Sequence, residues 1–404
     1  MKKTHVEKVF KCQPYILYLK CCVEIMTRKT DISVFVPNLK VGGAELSMLE
    51  IAEGLAARGL IVDLVLIEAE GEFMKHISNN IRVVNLASRR TRYSIWKLYR
   101  YLKKERPKGL ISAHDGANVI AILAKFLSRV PTHLIITINS HLSNAYNTNN
   151  DHRQAKFNVL ALFKILRFAY QYADEIVAIS EGVADDLARI LKILKKQIRI
   201  FYLPVLTDRF YKLKSQSIEN PSLFAKDVPN ILSVGRLTAA KDFATLIRAF
   251  SIVVKYVPSR LVILGEGELR LELEALVRDL GLQDVILLPG FVNNCYPYMK
   301  ECDLFVVSSA WEGLSMVLIE AMACGAPLVS TDCDSGPREI LEGGSWGRLV
   351  PVGDHEAMAE AMKKTLTEGP RPVTVVPDHV LDPFRRDIVA RKYQQLIPNN
   401  GFSE

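Results

Sequence analysis

The sequence SAWEGLSMVLIEAMACGAPLV, residues 309–329, contains the pattern that decides the fold. The apolar run 304–307 just before it predicts a buried strand, and residues 312–315 predict a polar, glycine-containing turn. Residues 316–324 predict an apolar helix, which a glycine and a proline then end. A strand, a tight turn and a helix N-terminus together favour an anion-binding site, because free backbone N–H groups and the helix dipole point at the turn.

The composition is that of a globular protein with room for two domains. The chain has 404 residues, of which 49% are hydrophobic and 24% are charged. No apolar run reaches the roughly 18 residues that a membrane-spanning helix needs. The seven cysteines show no paired C-x-x-C spacing, which is typical of a reduced compartment and favours neither a disulfide framework nor a zinc site.

The first thirty residues differ from the rest of the chain. Lys20 interrupts their apolar part, and no small-residue cleavage site follows, which argues against a signal peptide. Met26 stands just before the first clean strand and is an alternative start. We therefore expect residues 1–30 to form an extension outside the folded domains.

Strands alternate with helices in two series, which predicts an α/β protein with two parallel, doubly wound sheets. Residues 204–229, with three prolines, break the rhythm and predict a linker between two Rossmann-like domains. Ligands of such sheets bind outside the carboxyl ends of the strands, so we expect the site in a cleft where the domains face each other. The predicted strands are 32–37, 61–67, 81–86, 109–113, 134–138, 175–179 and 198–202, then 230–234, 260–264, 285–288, 304–307, 328–331 and 347–350.

In each of the two series, a glycine-containing turn follows the first strand. Gly42-Gly43-Ala44-Glu45 opens a helix but is not G-x-G-x-x-G, so it predicts either a plain tight turn or a close backbone approach to a ligand phosphate or sugar. The second turn contains Gly235, Arg236 and Lys241. Its guanidinium fork and ammonium point charge would suit a diphosphate, although two solvated surface charges are an equally acceptable interpretation.

Two carboxylates, Glu312 and Glu320, frame the turn and helix of the opening stretch. An apolar helix tolerates a carboxylate poorly unless donors reach it. A ribose diol is a fitting partner for Glu320, because two hydroxyl donors can bind one carboxylate. The alternative is that Glu320 accepts a neighbouring backbone N–H.

These motifs together resemble the retaining glycosyltransferases of family 4, which have the GT-B fold. The resemblance covers roughly residues 31–396 and is most specific in the Glu312-x7-Glu320 region. Residues 332–340 and 349–354 resemble a bacterial subgroup that builds surface polysaccharides and polyprenyl-linked glycans, often from UDP-sugars. The resemblance implies an acceptor-side domain at 31–215, a nucleotide-sugar-binding domain at 216–380, and a final helix and tail at 381–404 that cross back onto the first domain.

The resemblance also implies roles for residues at matching positions. Arg236 and Lys241 would neutralise the donor diphosphate, Glu312 would hold the hexose and Glu320 the ribose. No metal and no cofactor is implied, since cations and helix-end N–H groups would stabilise the departing diphosphate. The further donor contacts expected are Gly43, Gly235, Gly265, Phe291, Val292, Gly313, Leu314, Ser315 and Val317.

One position departs from the family pattern. Many members carry a histidine near the sugar, after the strand that corresponds to 134–138. Aligned through the following Leu-Ser pair, that histidine falls on Asn139, and His141 lies two residues later. Either His141 serves the sugar through a shifted loop, or Asn139 holds it and His141 is a plain loop residue. His114, at the end of strand 109–113, is a second candidate.

The N-terminal half is basic. Residues 1–215 carry 34 Lys+Arg against 19 Asp+Glu, whereas the remainder is net acidic. Ten of these cations lie in 82–108 beside interleaved aromatic residues. Such a segment would suit an anionic membrane surface or a phosphate-bearing lipid acceptor, and a solvated helix face is the alternative. Apart from this charge, nothing resembles a nucleic-acid-binding module.

The sequence thus predicts a metal-independent, retaining transferase that moves a hexose or N-acetylhexosamine from a nucleotide diphosphate sugar, with UDP favoured, to a glycan or lipid-linked acceptor. Acceptor contacts are expected from N-terminal loops such as 139–155. The expected location is cytoplasmic, with peripheral attachment to the inner face of the plasma membrane. The alternatives are a GT-B sugar-nucleotide epimerase and a non-catalytic nucleotide-sugar-binding scaffold.

Overall fold

The computed structural model describes residues 29–40, 42–88, 93–146, 153–368 and 376–398, with the backbone alone at 145–146 and 153–161. Residues 1–28 of the expected N-terminal extension, with Met26, therefore lie outside the described residues, as do part of the 139–155 loop and three arginines of the basic segment. Two compact units are present. One runs up to Ile135 and also takes in the chain from Ile397, and the other is Ile136–Leu396.

The first sheet has seven strands in the order β3-β2-β1-β4-β5-β6-β7. The paired strands β1 with β2 and with β4 run parallel. These strands are rich in valine, isoleucine and leucine, and most of their residues are buried, as expected of a parallel sheet covered on both faces. The strands are β1 Ile32–Val36, β2 Val62–Leu66, β3 Ile81–Asn85, β4 Gly109–Ala113, β5 His133–Ile138, β6 Glu175–Ala178 and β7 Ile198–Ile200.

Helices connect these strands. A short 3-10 helix, Glu72–His76, joins β2 to β3, and another, Lys195–Gln197, precedes β7. The α-helices are α1 Gly43–Ala57, α2 Ser94–Glu105, α3 Asp115–Ser128, α4 Leu142–Tyr146, α5 Arg153–Tyr170 and α6 Glu181–Leu191.

The second sheet has six parallel strands in the order β10-β9-β8-β11-β12-β13. Its core lies between the sheet and the helices Phe243–Val253, Arg270–Asp279 and His355–Thr367. The strands are β8 Asn230–Val234, β9 Arg260–Leu264, β10 Ile286–Gly290, β11 Leu304–Val307, β12 Leu328–Thr331 and β13 Arg348–Val350. The helices are α7 Asp208–Lys214, α8 Phe243–Val253, α9 Arg270–Asp279, α10 Tyr296–Glu301, α11 Met316–Cys324, α12 Pro337–Ile340, α13 His355–Thr367, α14 Asp378–Leu381 and α15 Arg386–Leu396, with 3-10 turns at Pro221–Leu223, Ala239–Lys241, Glu342–Gly344 and Asp382–Phe384.

The α/β fold class and the thirteen strands were predicted correctly, each strand within two residues of its observed bounds. Helix α7 lies within the segment 204–229, which was predicted to link the two domains and for which no helix was predicted. The Thr207 hydroxyl caps this helix by accepting from the Phe210 N–H at 3.2 Å. The buried Phe210 ring then packs edge-on against Tyr296.

The last helix contacts strand β5 of the first sheet, which confirms the predicted crossing helix. The buried Tyr393 hydroxyl of α15 lies 3.1 Å from the Thr137 hydroxyl of β5. Its ring also meets Phe201 edge-on, with the two centroids 5.2 Å apart. Both contacts lie within the unit Ile136–Leu396.

Each sheet reverses its strand order once, between β1 and β4 and between β8 and β11. At such a point the two neighbouring strands send their chains onto opposite faces of the sheet, which leaves a crevice at the carboxyl ends. The loops after these four strands are therefore the places to look for a site.

Candidate functional site

In the second sheet, the loop after β8 is hydrogen-bonded to the loop after β11. The Ala310 N–H donates to the Ala240 carbonyl at 2.8 Å. The Ser308 hydroxyl donates to the Lys241 carbonyl, also at 2.8 Å. These two hydrogen bonds bring two of the motifs predicted from the sequence, the Gly-Arg turn and the Glu-Gly-Leu-Ser turn, side by side at the switch point.

Lys241 and Glu312 form an ion pair across this junction. The Lys241 Nζ lies 2.5 Å from the Glu312 Oε1, and their side chains are 24% and 10% exposed. The Ser309 hydroxyl donates to the same carboxylate oxygen at 2.8 Å. The carboxylate is thus held by two donors, and the ammonium stays close to it at the edge of the crevice.

Arg236 is exposed, and its guanidinium makes no hydrogen bond or ion pair with the residues that the structure describes, although its backbone carbonyl accepts the Thr238 N–H. Its neighbour Gly235 donates its N–H to the Leu264 carbonyl at 3.0 Å. Gly265 packs so closely on this turn that a Cβ there would lie 1.9 Å from the Gly235 carbonyl oxygen. The backbone around the guanidinium is therefore rigid, while the guanidinium itself is available to an anion.

The turn before helix α11 packs against the segment after β5. A Cβ on Gly313 would lie 2.5 Å from the Asn139 carbonyl oxygen. A larger residue could therefore occupy this position only if one of the two backbone segments moved. Leu314 and Ser315 are buried, and the Ser315 hydroxyl oxygen has no hydrogen-bond partner among the described residues. Val317 lies in the first turn of α11, where backbone N–H groups lack partners within the helix.

Glu320 lies in the second turn of α11 and is half-buried. Burial raises the pKa of its carboxyl from the usual 4.5 to about 7, and a hydrogen bond from the Tyr296 hydroxyl partly opposes this rise. That hydroxyl lies 3.1 Å from the Glu320 Oε1. Among the described residues the carboxylate thus has one donor, and it keeps further lone pairs for a ligand with hydroxyl groups.

Asn139, the first residue after β5, has a buried side-chain amide with no partner for either its oxygen or its nitrogen among the described residues. A buried amide without partners costs free energy, and such groups are rare in folded proteins. Because its backbone touches Gly313, this amide belongs to the same group of residues as the turn before α11.

His141 is engaged elsewhere. Its ring is 6% exposed, and its Nε2 forms a short hydrogen bond with the hydroxyl of Ser335, in the turn between β12 and α12. Its Nδ1 lies 3.9 Å from the Asp186 Oδ1, and that carboxylate also accepts from the Ser143 N–H and from Arg189. His141 is therefore part of a buried polar cluster with Asp186 and Ser335.

The predicted residues Gly43 and His114 lie in the other compact unit, in the loops after β1 and β4. The His114 Nε2 is 3.5 Å from the Glu45 Oε1. Gly43 is the first residue of α1. The Leu46 N–H donates to the carbonyl of the preceding residue, Gly42.

Phe291 and Val292 follow β10, and the Phe291 ring is 70% exposed. The Gly265 N–H donates to the Gly290 carbonyl at 2.9 Å, which ties this loop to the turn after β9. An exposed aromatic ring beside glycine turns offers a stacking surface to a planar group.

Tyr296, Ser309, Asp186 and Ser335 shape these groups of residues and were not predicted from the sequence. Ser335 stands in the stretch 332–340, which was interpreted chiefly as helix capping. Tyr296 and Asp186 had no signal, because their partners are distant in sequence. Among the described residues, no group of His, Cys, Asp and Glu side chains could hold a metal ion, and no helix is long and apolar enough to span a membrane.

Comparison with known families assigns both halves of the chain. Residues 41–209 match the model described as Glycosyltransferase Family 4, and residues 214–375 match the model described as Glycosyl transferases group 1. The two matches together cover most of the sequence. The chain belongs to these glycosyltransferase families.

Similar proteins are found for this family 4 glycosyltransferase in several bacteria. A segment is 36% identical over 251 residues to the N-acetylgalactosamine-N,N'-diacetylbacillosaminyl-diphospho-undecaprenol 4-alpha-N-acetylgalactosaminyltransferase of Campylobacter jejuni; it covers 62% of this chain and 65% of that protein. The lipopolysaccharide core biosynthesis glycosyltransferase LpsE of Rhizobium meliloti is 28% identical over 251 residues, covering 59% of this chain and 71% of that protein.

The solved structures with the same fold include HepE from Anabaena in complex with UDP and glucose. Its superposition has a TM-score of 0.72 at 18% sequence identity and covers 91% of this chain and 98% of that chain. At this identity the likeness shows the fold alone, and the fold is that of the GT-B glycosyltransferases.

Proposed function

We propose that this protein is a retaining glycosyltransferase that transfers a hexose or N-acetylhexosamine from a UDP-sugar to a glycan or polyprenyl-linked acceptor. The observation that carries the proposal is the junction at the β8/β11 switch point, where Lys241 and Glu312 form an ion pair in the same loop region as Arg236, whose guanidinium has no partner among the described residues. The names of the relatives support the acceptor class, since the Campylobacter enzyme is named for a diphospho-undecaprenol substrate. The UDP bound to HepE supports the donor class.

In this proposal Arg236 and Lys241 neutralise the donor diphosphate. The Arg236 guanidinium is already available to an anion. The Lys241 ammonium, which is paired with Glu312, must move so that it also contacts the phosphate. The N-terminus of α11 adds backbone donors and a favourable dipole. These groups meet the charge that develops on the departing diphosphate, which is why we propose that the reaction needs no metal.

Glu320 and Glu312 would bind the two sugars of the donor. The raised pKa of Glu320 indicates a carboxylate short of donors, and the two hydroxyls of a ribose would supply them. Glu312, once Lys241 turns to the phosphate, has an oxygen for a hexose hydroxyl. Asn139, whose amide is buried without partners, would hold another hexose hydroxyl.

His141 has no part in this sugar site as we propose it. Its Nε2 is bonded to Ser335 and its Nδ1 faces Asp186, so the ring positions the segment that carries Asn139. Retention would follow from attack on the face that the diphosphate leaves, with a leaving phosphate oxygen accepting the proton of the incoming hydroxyl.

The first test is a calorimetric binding screen of UDP-, GDP- and ADP-sugars, followed by transfer of the radiolabelled sugar to a bacterial membrane-lipid extract. We expect UDP-sugar binding and EDTA-resistant transfer, with both lost in Lys241→Ala and Glu320→Ala. Lys255→Ala and Glu272→Ala, at exposed positions on the same unit, are the matched controls. Binding without transfer would favour the scaffold, and an epimerised UDP-sugar formed without acceptor would favour the epimerase.

A peripheral membrane surface on the basic half belongs to the same proposal. Trp96 on α2 is 61% exposed and Phe126 on α3 is 65% exposed. Arg100, Lys103 and Lys104 are also exposed on α2. Such a combination of aromatic rings and cations suits the interface of an anionic bilayer.

Co-sedimentation with vesicles of phosphatidylcholine and phosphatidylglycerol tests this surface. We expect binding that rises with the anionic fraction, weakens with salt, and is lost in the Lys103→Glu/Lys104→Glu double variant. Equal binding to neutral and anionic vesicles would contradict it. The control is Lys195→Glu, which reverses an exposed cation of the other unit.

A further inference from the structure

Glu45 and His114 form a second group at a switch point, in the unit that contains β1 and β4. Strands β1 and β4 pair in parallel, with Phe35 opposite Ser112. Glu45 lies in the first turn of the helix after β1, and His114 directly follows β4. The two side chains therefore meet in the crevice where this sheet reverses its strand order, the usual ligand position in such sheets.

The backbone of His114 is strained. Its φ is 75° and its ψ is 136°, a region that residues with a Cβ rarely adopt. The Asn118 N–H donates to the His114 carbonyl at 2.8 Å and holds this conformation at the start of α3. Strain of this kind persists where the surrounding structure imposes it, and it clusters at functional sites.

The imidazole is aimed at Glu45 without bonding to it. The His114 Nε2 is buried and has no hydrogen-bond partner among the described residues. The Glu45 Oε1 is 3.5 Å away, which is too long for a hydrogen bond. The Glu45 carboxylate folds back over Gly42, where a Cβ would lie 2.2 Å from its Oε2, so the glycine makes room for it.

The two atoms are too close for a group to fit between them, but one hydroxyl group can bridge them from the side. A hydroxyl oxygen about 2.8 Å from each atom would accept the Nε2–H of His114 and donate its own proton to Glu45. The side chains are 30% and 21% exposed, and the buried Nε2 would be reached once the Glu45 carboxylate shifts to accept the hydroxyl. A phosphate fits less well, because it would face the Glu45 carboxylate with its own negative charge.

We propose that Glu45 and His114 bind a sugar hydroxyl of the acceptor, other than the attacking hydroxyl, and so position the acceptor for transfer. This inference rests on the proposed glycosyltransferase function. The acceptor end recognised here is then a neutral, hydroxyl-bearing sugar, whatever phosphate or lipid lies beyond it. Binding is the role assigned to the pair, with the proton of the attacking hydroxyl going to the donor phosphate as proposed above.

The experiment measures how a radiolabelled UDP-sugar partitions between transfer to a membrane-lipid extract and hydrolysis by water. In Glu45→Gln and His114→Ala we expect transfer to fall about tenfold or more, while hydrolysis and the Kd for UDP stay within about twofold of wild type. His114→Gln, whose amide N–H can reach the position of Nε2, should recover part of the transfer. Glu72→Gln, at an exposed position of the same unit, is the control.

The outcomes separate this inference from the proposed function. If wild type neither binds UDP nor transfers sugar, the proposed function is wrong. If wild type transfers sugar and both variants transfer it equally well, only the role of Glu45 and His114 is wrong. A parallel fall in UDP affinity, or a failure of His114→Gln to recover any transfer while it folds with an unchanged Tm, also overturns that role.

Discussion

Donor binding should weaken as pH falls through 7, because of Glu320. Burial raises the pKa of this carboxyl to about 7 in the ligand-free protein. Two ribose hydroxyls would donate to the ionised form, so the nucleotide binds the carboxylate and must expel the proton from the carboxylic acid. If the ionised form alone binds, affinity drops about tenfold per pH unit below 7, or roughly thirtyfold between about pH 8 and about pH 5.5.

The assay is calorimetric titration of UDP at several pH values in wild type and in Glu320→Gln. The terminal phosphate of UDP titrates in the same range, with a pKa of about 6, so the wild-type affinity alone would mix two effects. The ratio of the two affinities removes the phosphate contribution, since it is common to both proteins. That ratio should fall roughly thirtyfold from about pH 8 to about pH 5.5.

Tyr296→Phe provides a second, independent check. The Tyr296 hydroxyl donates to Glu320 and favours its ionised form. Without that donor the pKa of Glu320 rises further, and the midpoint of the affinity curve moves to higher pH. A wild-type to Glu320→Gln ratio that stays flat with pH, or a Tyr296→Phe midpoint that does not move upward, would refute the reasoning.

Three further predictions concern stability and the rigid turn. Ligand-free Glu320→Gln should be more stable than wild type by about 2–3 kcal/mol at pH 8 and equally stable near pH 4. The reason is that wild type, in which the carboxyl pKa is raised by folding, loses stability as pH rises through 7. Equal Tm values of the two proteins at pH 8 would contradict this prediction. Arg82→Met should destabilise by about 3 kcal/mol in urea unfolding, since it leaves Asp63, which is fully buried and bonded to Arg82 at 2.6 Å, without its cation. A loss under about 1 kcal/mol would show that the other donors to Asp63 suffice. Gly313→Ala should weaken UDP-sugar binding about tenfold or more with a Tm lowered by a few degrees, because its Cβ would lie 2.5 Å from the Asn139 carbonyl oxygen; unchanged binding would mean that the turn has room to shift.

The sheets could be predicted from the sequence because parallel strands are buried on both faces. The run 261–264 is a continuous apolar segment that ends at a glycine, and it lies within strand β9. Helix α7 was missed for the opposite reason. Three prolines and scattered charges around it suggested a linker, whereas the Thr207 cap and the buried Phe210 ring stabilise seven helical residues.

The donor residues were predictable as separate motifs and not as a constellation. Glu312 and Lys241 were each recognised at a strand end, but the 2.5 Å pair between them depends on β8 and β11 being neighbours. Sequence order places these strands far apart, since β9 and β10 come between them. The Tyr296 contact with Glu320 is similar, because it joins two helices through a tertiary contact that no local pattern reports.

His141 shows most clearly why a sequence motif can leave two interpretations open. Position and residue type favoured it for the sugar, and spacing favoured Asn139. A buried histidine must satisfy two ring nitrogens, and here Ser335, from the turn after β12, and Asp186, from helix α6, lie beside them. Asn139 remains with a buried amide that no described residue satisfies. Since unsatisfied polar groups are the ones a ligand can stabilise most, the balance of partners favours Asn139, and Asn139→Ala should lose more donor hydrolysis than Ser335→Ala does.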